Sequence, residues 1–418
     1  MIVSFVSKGR TFVKRNERLN NLFRKYAGIK KFLNLNRNHY DLREENSMNK
    51  HVDVLIVGAG ASGIGVGIVL KQMGCENFCV IDKGDIGETF RRWPKEMRFI
   101  TPSFPSQGFG QTDLNAVAPK TSPAYTLDEE HPTGEEYAEY LEVLADHYQL
   151  PLRTKVEVKE IRKHNNQLFE VVTSKGKLCS KFIVWAAGEY QYPDFDVFPG
   201  AEHCIHSSQI HSWEEMKADD YLVIGGYESG IDALYQLNRL NKKTRLLAKT
   251  ATWEIDSSDP SIVISPYTYG RMKEALADDR IEMYENLTVS SVRKEGNSYY
   301  VETREGEQFT TCTPPVLATG YKGSTSMISQ LFEFGEHGKP LVNEQDESIY
   351  CQGLFLCGPE LRHGSQVFCY IYKFRQRYAV LAEAIGSRLN LNMDILELYQ
   401  KENFYLDDLS GCGERCEC

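Results

Sequence analysis

Short apolar runs, each about the length of a buried strand, alternate along this chain with stretches in which apolar residues recur every three to four positions. Residues 52–57 (Val-Asp-Val-Leu-Ile-Val) read as a strand, 64–73 as a helix and 78–81 as the strand that follows. The same order returns at 221–224, 231–240 and 244–248. Further apolar strands are expected at 182–185, 315–317 and 354–356, and a helix over about 367–385. The opening Pro132-Thr133-Gly134-Glu135-Glu136-Tyr137 predicts a helix through His147, with Thr133 as its cap and Glu136 at capping-box spacing. Strands alternating with helices in this way predict an α/β fold of two Rossmann-like units, each a parallel sheet in a three-layer sandwich with helices.

Both repeats join their first strand to their helix through glycines. The first turn is Gly58-Ala59-Gly60-Ala61-Ser62-Gly63. Gly58 permits the tight turn, Gly60 lets a pyrophosphate approach the backbone, and Gly63 lets helix and strand pack closely. The phosphate then rests on the positive end of the helix. Asp82 closes the next strand, 24 residues after Gly58. A carboxylate there accepts hydrogen bonds from ribose hydroxyls and repels a 2′-phosphate, which suits FAD or NAD. The second turn is Gly225-Gly226-Tyr227-Glu228-Ser229-Gly230, with Tyr227 in place of the middle fingerprint glycine. Its strand ends in Lys249, again 24 residues on, with Lys242, Lys243 and Arg245 nearby. Cations at that position accommodate a 2′-phosphate, so the second nucleotide is expected to be NADPH, with Arg245 and Lys249 as its contacts. Opposite ribose chemistry in one chain points to electron relay: NADPH on the second unit gives hydride to a flavin on the first.

Composition narrows the classes. The chain has 418 residues and a formal charge of −10, which makes it a poor nucleic-acid binder. Its length suits two or three domains, and no apolar run approaches a membrane span. Charge is uneven: residues 1–47 hold 11 Lys/Arg against 4 acids, net +7, and the remainder carries −17. That leader lacks the apolar stretch of a signal peptide. It reads as a disordered extension or an early start ahead of Met48, with a basic targeting or membrane-surface arm as the alternative. Eleven cysteines without a secretion signal fit a reducing, cytoplasmic setting.

The stretches between and after the repeats carry a resemblance. Phe182-Ile183-Val184-Trp185-Ala186-Ala187-Gly188 and Pro315-Val316-Leu317-Ala318-Thr319-Gly320-Tyr321 resemble the paired crossings between FAD and NADPH domains of two-dinucleotide flavoproteins. Gly353-Leu354-Phe355-Leu356-Cys357-Gly358-Pro359 resembles their late FAD-binding strand, with Pro359 where an Asp is common. Gly87-Glu88-Thr89-Phe90-Arg91-Arg92-Trp93 resembles the Gly-x-Thr-Trp segment over the flavin of flavin-containing monooxygenases. Over residues 50–405 the chain is similar to class B flavoprotein monooxygenases, to their CzcO-like bacterial relatives and to bacillithiol disulfide reductases. The monooxygenase fingerprint histidine is represented only by His206, at altered spacing, with Ile210 where an aromatic is common.

The resemblance implies an FAD domain in two pieces (48–190 and 321–405) with an NADPH domain (191–320) inserted. It adds Thr89, Arg91, Trp93, Gly188, Thr319, Gly320 and Gly358 to the expected cofactor contacts. The implied activity is an NADPH-dependent FAD oxidoreductase of monooxygenase type, oxygenating a small molecule with a soft nucleophile. The alternative is a reductase of a disulfide, thiol or metal ion. For that alternative the tail 406–418 supplies Cys412, Cys416 and Cys418, three thiols able to relay electrons to a thiol protein or to hold a soft metal. His206 and His363 are the candidate proton donors.

Overall fold

The computed structural model describes residues 51–104, 112–164, 168–257, 259–335 and 338–409. The leader and the three tail cysteines, Cys412, Cys416 and Cys418, lie outside these. The described chain forms two compact units. The first gathers residues 51–91, 102–188 and 324–409, and the second residues 92–101 and 189–323.

The first unit opens with β1 (His51–Val57), α1 (Ala61–Gln72) and β2 (Phe78–Ile81). Short helices α2 (Glu88–Arg91) and α3 (Pro123–Leu127) lead to α4 (Gly134–His147). The predicted capping box at α4 is present: Thr133 accepts from the Glu136 amide, and Glu136 accepts from the Thr133 amide at 2.8 Å. Strands β3 (Leu152–Arg153), β4 (Val158–Lys163), β5 (Phe169–Thr173) and β6 (Gly176–Trp185) follow. The sheet order is β3-β2-β1-β6-β5-β4. β6 changes role along its length: its first half pairs antiparallel with β5, and its second half parallel with β1. α1 is buried from Ala61 through Leu70. Such a helix shows no apolar stripe, because the sheet covers one side and other helices the rest.

The second unit contains β7 (Ile205–His206), β8 (Asp220–Ile224), α5 (Glu228–Arg239), β9 (Lys243–Leu247), α6 (Pro266–Ala275) and β10 (Ile281–Tyr284). An antiparallel meander, β11 (Val289–Glu295), β12 (Ser298–Thr303) and β13 (Gln308–Thr311), precedes β14 (Val316–Leu317). Its parallel sheet runs β10-β9-β8-β14-β7. Alternate residues of β8 feed different cores. Tyr221 and Val223 pack with Ile231, Leu234 and Leu237 of α5, whereas Leu222 and Ile224 pack with Val292, Val301 and Phe309 of the meander. This period of two is what a strand covered on both faces requires.

Back in the first unit, β15 (Leu354–Leu356) joins β6 in parallel as the seventh strand. A two-stranded hairpin, β16 (Arg362–His363) and β17 (Gln366–Val367), comes next, then α7 (Ile371–Phe374), α8 (Tyr378–Leu389) and α9 (Leu396–Lys401). The sequence predicted one helix from about 367. The structure instead makes the hairpin and starts the helix at Ile371, leaving Phe368, Cys369 and Tyr370 outside it. Gly364, at φ +57°, turns the chain within the hairpin, and the pairing of Val367 with Arg362 holds the chain extended where the helix was expected to begin.

Candidate functional site

Ligands of open α/β sheets bind beyond the carboxyl ends of parallel strands, so the two glycine turns define where to look. In the first unit, Gly58 sits at φ +113°, and a Cβ there would stand 2.2 Å from the Ala186 carbonyl oxygen. A Cβ on Gly63 would stand 1.8 Å from the Gly58 carbonyl oxygen. Gly60 differs: a Cβ there meets nothing within 4 Å, so the chain leaves open space above the first turn of α1. No side chain caps that helix. Its free amides and open approach are the cradle a pyrophosphate takes.

Asp82 braces this turn. One carboxylate oxygen accepts from the Ala59 amide and the other from the Gly84 amide, each at 2.7 Å. Burial pushes its pKa up, and the two amides pull it back. Gly358, after β15, joins the same place, since a Cβ on it would stand 3.0 Å from the Ser62 hydroxyl in α1. The Asp expected beyond Gly358 is Pro359. Glu360 is next, but its buried carboxylate is committed to the Ser324 amide at 2.6 Å and the Thr325 hydroxyl at 2.5 Å.

The second unit repeats the backbone geometry. Gly225 sits at φ +126°, and a Cβ there would stand 2.2 Å from the Ala318 carbonyl oxygen. A Cβ on Gly230 would stand 1.9 Å from the Gly225 carbonyl oxygen. Ser229 lies in the first turn of α5, which also lacks a side-chain cap. Tyr227 is extended, with φ −115° close to the −84° of Gly60, so its backbone needs no glycine. Its hydroxyl donates to the Pro260 carbonyl at 2.6 Å. Gly226 is required by crowding, because a Cβ there would stand 2.4 Å from that of Ala248. The Thr319 hydroxyl, buried two residues beyond β14, has no hydrogen-bond partner among the described residues. An orphaned buried hydroxyl marks a place where a ligand completes the bonding.

Of the four cations grouped by the sequence around the second ribose position, three are spent. Lys242 pairs with Asp219 at 3.3 Å and Lys243 with Glu282 at 3.1 Å. Arg245 reaches back to Asp220, the first residue of β8, at 2.6 Å and to the Thr310 carbonyl at 3.1 Å. Arg245 therefore serves the amino-terminal edge of the sheet, away from the nucleotide end where the sequence had expected it. Lys249 alone of the four has no acidic partner among the described residues.

Other expected contacts are also committed elsewhere. Arg91 is held by Glu142 at 2.7 Å and by Glu135, both on α4. Thr89 lies half-buried in α2. Trp93 belongs to the second unit, packed between Phe99 and Tyr190 with ring centroids 4.9 and 6.5 Å away. Gly188 and Gly320 both turn at positive φ, +68° and +93°. The Gly320 carbonyl accepts from Nε2 of His206 at 3.1 Å, while Nδ1 of His206 accepts from the Ser208 amide at 3.2 Å. Both nitrogens are used, and burial lowers its pKa, so His206 is a neutral brace of the β7–β14 crossing.

His363 is placed differently. Its Nε2 lies 2.6 Å from Oδ1 of Asp346, a fully buried carboxylate that Arg377 grips through Nε at 3.0 Å and Nη2 at 2.8 Å. Neither Asp346 nor Arg377 was singled out by the sequence. Asp346 sits in Asn-Glu-Gln-Asp-Glu, which reads as a solvated loop, and nothing in that run announces a buried ion pair. Described cysteines are single thiols. Burial pushes Cys75 and Cys79 up to about 11 and Cys204 up to about 12, which keeps them protonated and inert. Among the described residues no His/Cys/Asp/Glu group is arranged to hold a metal, and no helix is long and apolar enough to cross a membrane.

Known proteins share this arrangement. A CzcO-like oxidoreductase of Geobacillus kaustophilus is 28% identical over 195 residues, 46% of this chain and 53% of the relative. The chain thus spans about half the length of that curated relative. Bacilliredoxin reductase Bdr of Bacillus subtilis is 22% identical over 307 residues, 73% of this chain and 88% of the relative. Among solved structures, bacillithiol disulfide reductase Bdr from Staphylococcus aureus superposes with a TM-score of 0.66 at 20% identity, covering 81% of this chain and 99% of that one. A flavin-containing monooxygenase from Stenotrophomonas maltophilia gives 0.59 at 15% identity, with 81% and 99% covered. These likenesses establish the two-dinucleotide flavoprotein fold. The family model for pyridine nucleotide-disulphide oxidoreductases matches residues 55–358, more than two thirds of the chain and both glycine turns, and this chain belongs to that family of FAD- and NAD(P)H-dependent oxidoreductases.

Proposed function

We propose that the chain is an NADPH-dependent FAD oxidoreductase in which the first unit holds FAD, the second holds NADPH, and the electrons pass on to a small disulfide. The observation that carries the cofactor assignment is the contrast at the two strand ends. Asp82 offers the first turn a braced carboxylate, and Lys249 offers the second an uncommitted ammonium. Gly58, Gly60, Gly63, Asp82 and Gly358 would hold FAD. Gly225, Gly226, Ser229, Gly230, Thr319 and Lys249 would hold NADPH. The bound flavin supplies two-electron chemistry, and the chain supplies the cradle, the charge that selects the donor and the exclusion of water.

The choice of acceptor rests on the relatives. Alignment with a bacilliredoxin reductase along 88% of its length supports disulfide reduction. Oxygenation of a soft nucleophile is the second reading, favoured by the Gly87–Trp93 sequence and opposed by the position of His206, whose nitrogens are both spent on the protein. Stopped-flow mixing of the NADPH-reduced protein separates them. Rapid flavin reoxidation by a low-molecular-weight disulfide, with slow reoxidation by O₂, is the expected result. A transient oxygen adduct of the flavin that decays faster with a sulfide or amine substrate overturns disulfide reduction in favour of oxygenation. Loss of disulfide reactivity on deleting residues 412–418 assigns the relay to the tail cysteines.

A further inference from the structure

The Asp346–Arg377 pair has no part in holding either nucleotide as assigned above, yet both side chains are fully buried. An ion pair buried this completely carries a heavy desolvation cost, and hydrophobic residues of the same volume often serve stability as well or better. The pair also spends its remaining bonds with care: Arg377 donates to the carbonyls of Leu406 and Glu344, and Asp346 gives its free geometry to His363. His363 keeps 12% of its side chain exposed, so it is the one member of the cluster that reaches solvent. The Phe368 ring packs edge-on against the imidazole at 5.9 Å.

The cluster sits on the dinucleotide side of the first unit. The Leu356 amide donates to the Asp346 carbonyl at 2.8 Å, which anchors Asp346 at the carboxyl end of β15. The adjacent residue, Cys357, lies within electrostatic reach of Asp346, and its thiol hydrogen bonds with the Ser62 hydroxyl in the first turn of α1. The chain from Ser62 through Cys357 and Asp346 to His363 therefore starts at the glycine cradle. Arg362, the other charged group on β16, is turned onto the carbonyls of Pro359 and Leu361, at 2.6 Å each. Glu360 is sealed onto Ser324 and Thr325. Cys357 is kept protonated by burial. Asp346 is thus the acid that His363 meets, and Arg377 is the cation paired with it.

A carboxylate oxygen gripped by Arg377 and lying 2.6 Å from Nε2 makes that nitrogen the proton-bearing one and leaves Nδ1 to exchange protons. Hydride transfer brings two electrons and one proton, and full two-electron reduction of an isoalloxazine takes up a second proton. We propose that His363 is the proton-exchanging group of the first unit's redox centre, with Asp346 as its positioning residue and Arg377 locking Asp346 in place. Nδ1 of His363 first takes the second proton from solvent and then hands it on, the ring returning to its Nε2–H form, so atoms and charge balance. This inference rests on the assignment of FAD to the first unit.

The test is proton counting. The FAD-loaded protein is photoreduced by two electrons in weakly buffered solution at about pH 7.5 with an indicator dye, for wild type, His363→Gln, Asp346→Asn and Asp346→Glu. Wild type is expected to take up about two protons per two electrons and His363→Gln about one, because Gln keeps the hydrogen bond to Asp346 but cannot exchange a proton. Asp346→Asn should reproduce the loss and Asp346→Glu restore most of it, with flavin content unchanged. Nitrogen-15 histidine spectra of the flavin-free protein supply a second readout: His363 is expected as the Nε2–H form in wild type and as a mixture in Asp346→Asn. Equal proton uptake by wild type and His363→Gln at full flavin content overturns the inference alone. A wild-type protein that binds no FAD overturns the cofactor assignment, and this inference with it.

Discussion

The two glycine turns of this protein share a backbone and differ in everything attached to it. In both, the first glycine lies under a carbonyl of a crossing strand at 2.2 Å from where a Cβ would be, and the last glycine lies against the first. In the first turn the strand-end residue, Asp82, folds back onto the Ala59 amide. In the second, Lys249 cannot accept a hydrogen bond, and a different element takes over the bracing. The Thr252 hydroxyl donates to the Gly226 carbonyl at 2.5 Å, and Tyr227 ties Pro260 down. Glu228, half-buried at the start of α5, accepts from the hydroxyls of Ser265 and Thr268. The segment between β9 and α6 thereby does for the second turn what one aspartate does for the first. The lesson is that ribose chemistry and loop bracing are coupled: changing the strand-end acid to a base removes a brace that must be rebuilt elsewhere.

The largest effect should come from breaking each turn in isolation. Gly58→Ala forces a side chain into a left-handed conformation and into the Ala186 carbonyl, a strain of at least about 2 kcal/mol. The expected product is a colourless protein with a lowered melting temperature. Gly225→Ala applies the same insult to the second turn and should leave the protein yellow but unreduced by NADPH. A colourless Gly225→Ala protein with a yellow Gly58→Ala protein would reverse the assignment of the two units. A smaller change sharpens the charge contrast. Lys249→Glu removes a charge-assisted contact to a 2′-phosphate, a loss of about 1.5 to 3 kcal/mol. Steady-state kinetics should show the Michaelis constant for NADPH rising roughly ten- to a hundredfold, with that for NADH within about twofold. Equal rises for both donors would remove Lys249 from ribose recognition.

What could be read in the sequence follows from how local the physics is. Each turn, its helix and the strand-end residue lie within 24 residues, and close packing leaves glycines as the visible trace. The Thr133–Glu136 box is shorter still. Tyr227 looked like a weakened motif because the fingerprint records a residue type, whereas the position needs only extended backbone and open space. Arg245 looked like a nucleotide contact because a strand shows which face a residue takes but not which way along the strand its long side chain leans. The hairpin before α7 was hidden behind residues that also suit a helix, and only Gly364 hinted at it. His363 stood out as a candidate proton donor, but Asp346 and Arg377 were beyond reach, since partners 17 and 31 residues apart leave no periodic mark. Local chemistry announces itself; long-range ion pairs do not.

The smallest effect tests whether the bracing of the second unit is tuned by protonation in a way the first is not. His206 is buried as a neutral imidazole, its pKa lowered by desolvation from the ordinary 6.5. A base depressed on folding contributes stability that is present above its unfolded pKa and lost as the pH falls through the folded one. The second unit should therefore weaken between about pH 7 and pH 5, with a limiting slope of about 1.4 kcal/mol per pH unit. Desolvated carboxylates oppose this trend at lower pH. Glu228 and Asp232 are both raised by burial, so each favours the fold as protons are added. The difference between wild type and His206→Gln isolates the imidazole, because those acids are common to both. Urea titrations monitored by the tryptophans Trp213 and Trp253 of this unit are expected to show a flatter pH dependence in the variant, while the flavin content of the first unit stays constant. Parallel pH profiles for the two proteins would mean that His206 titrates alike folded and unfolded, and the neutral brace at Gly320 would be ruled out.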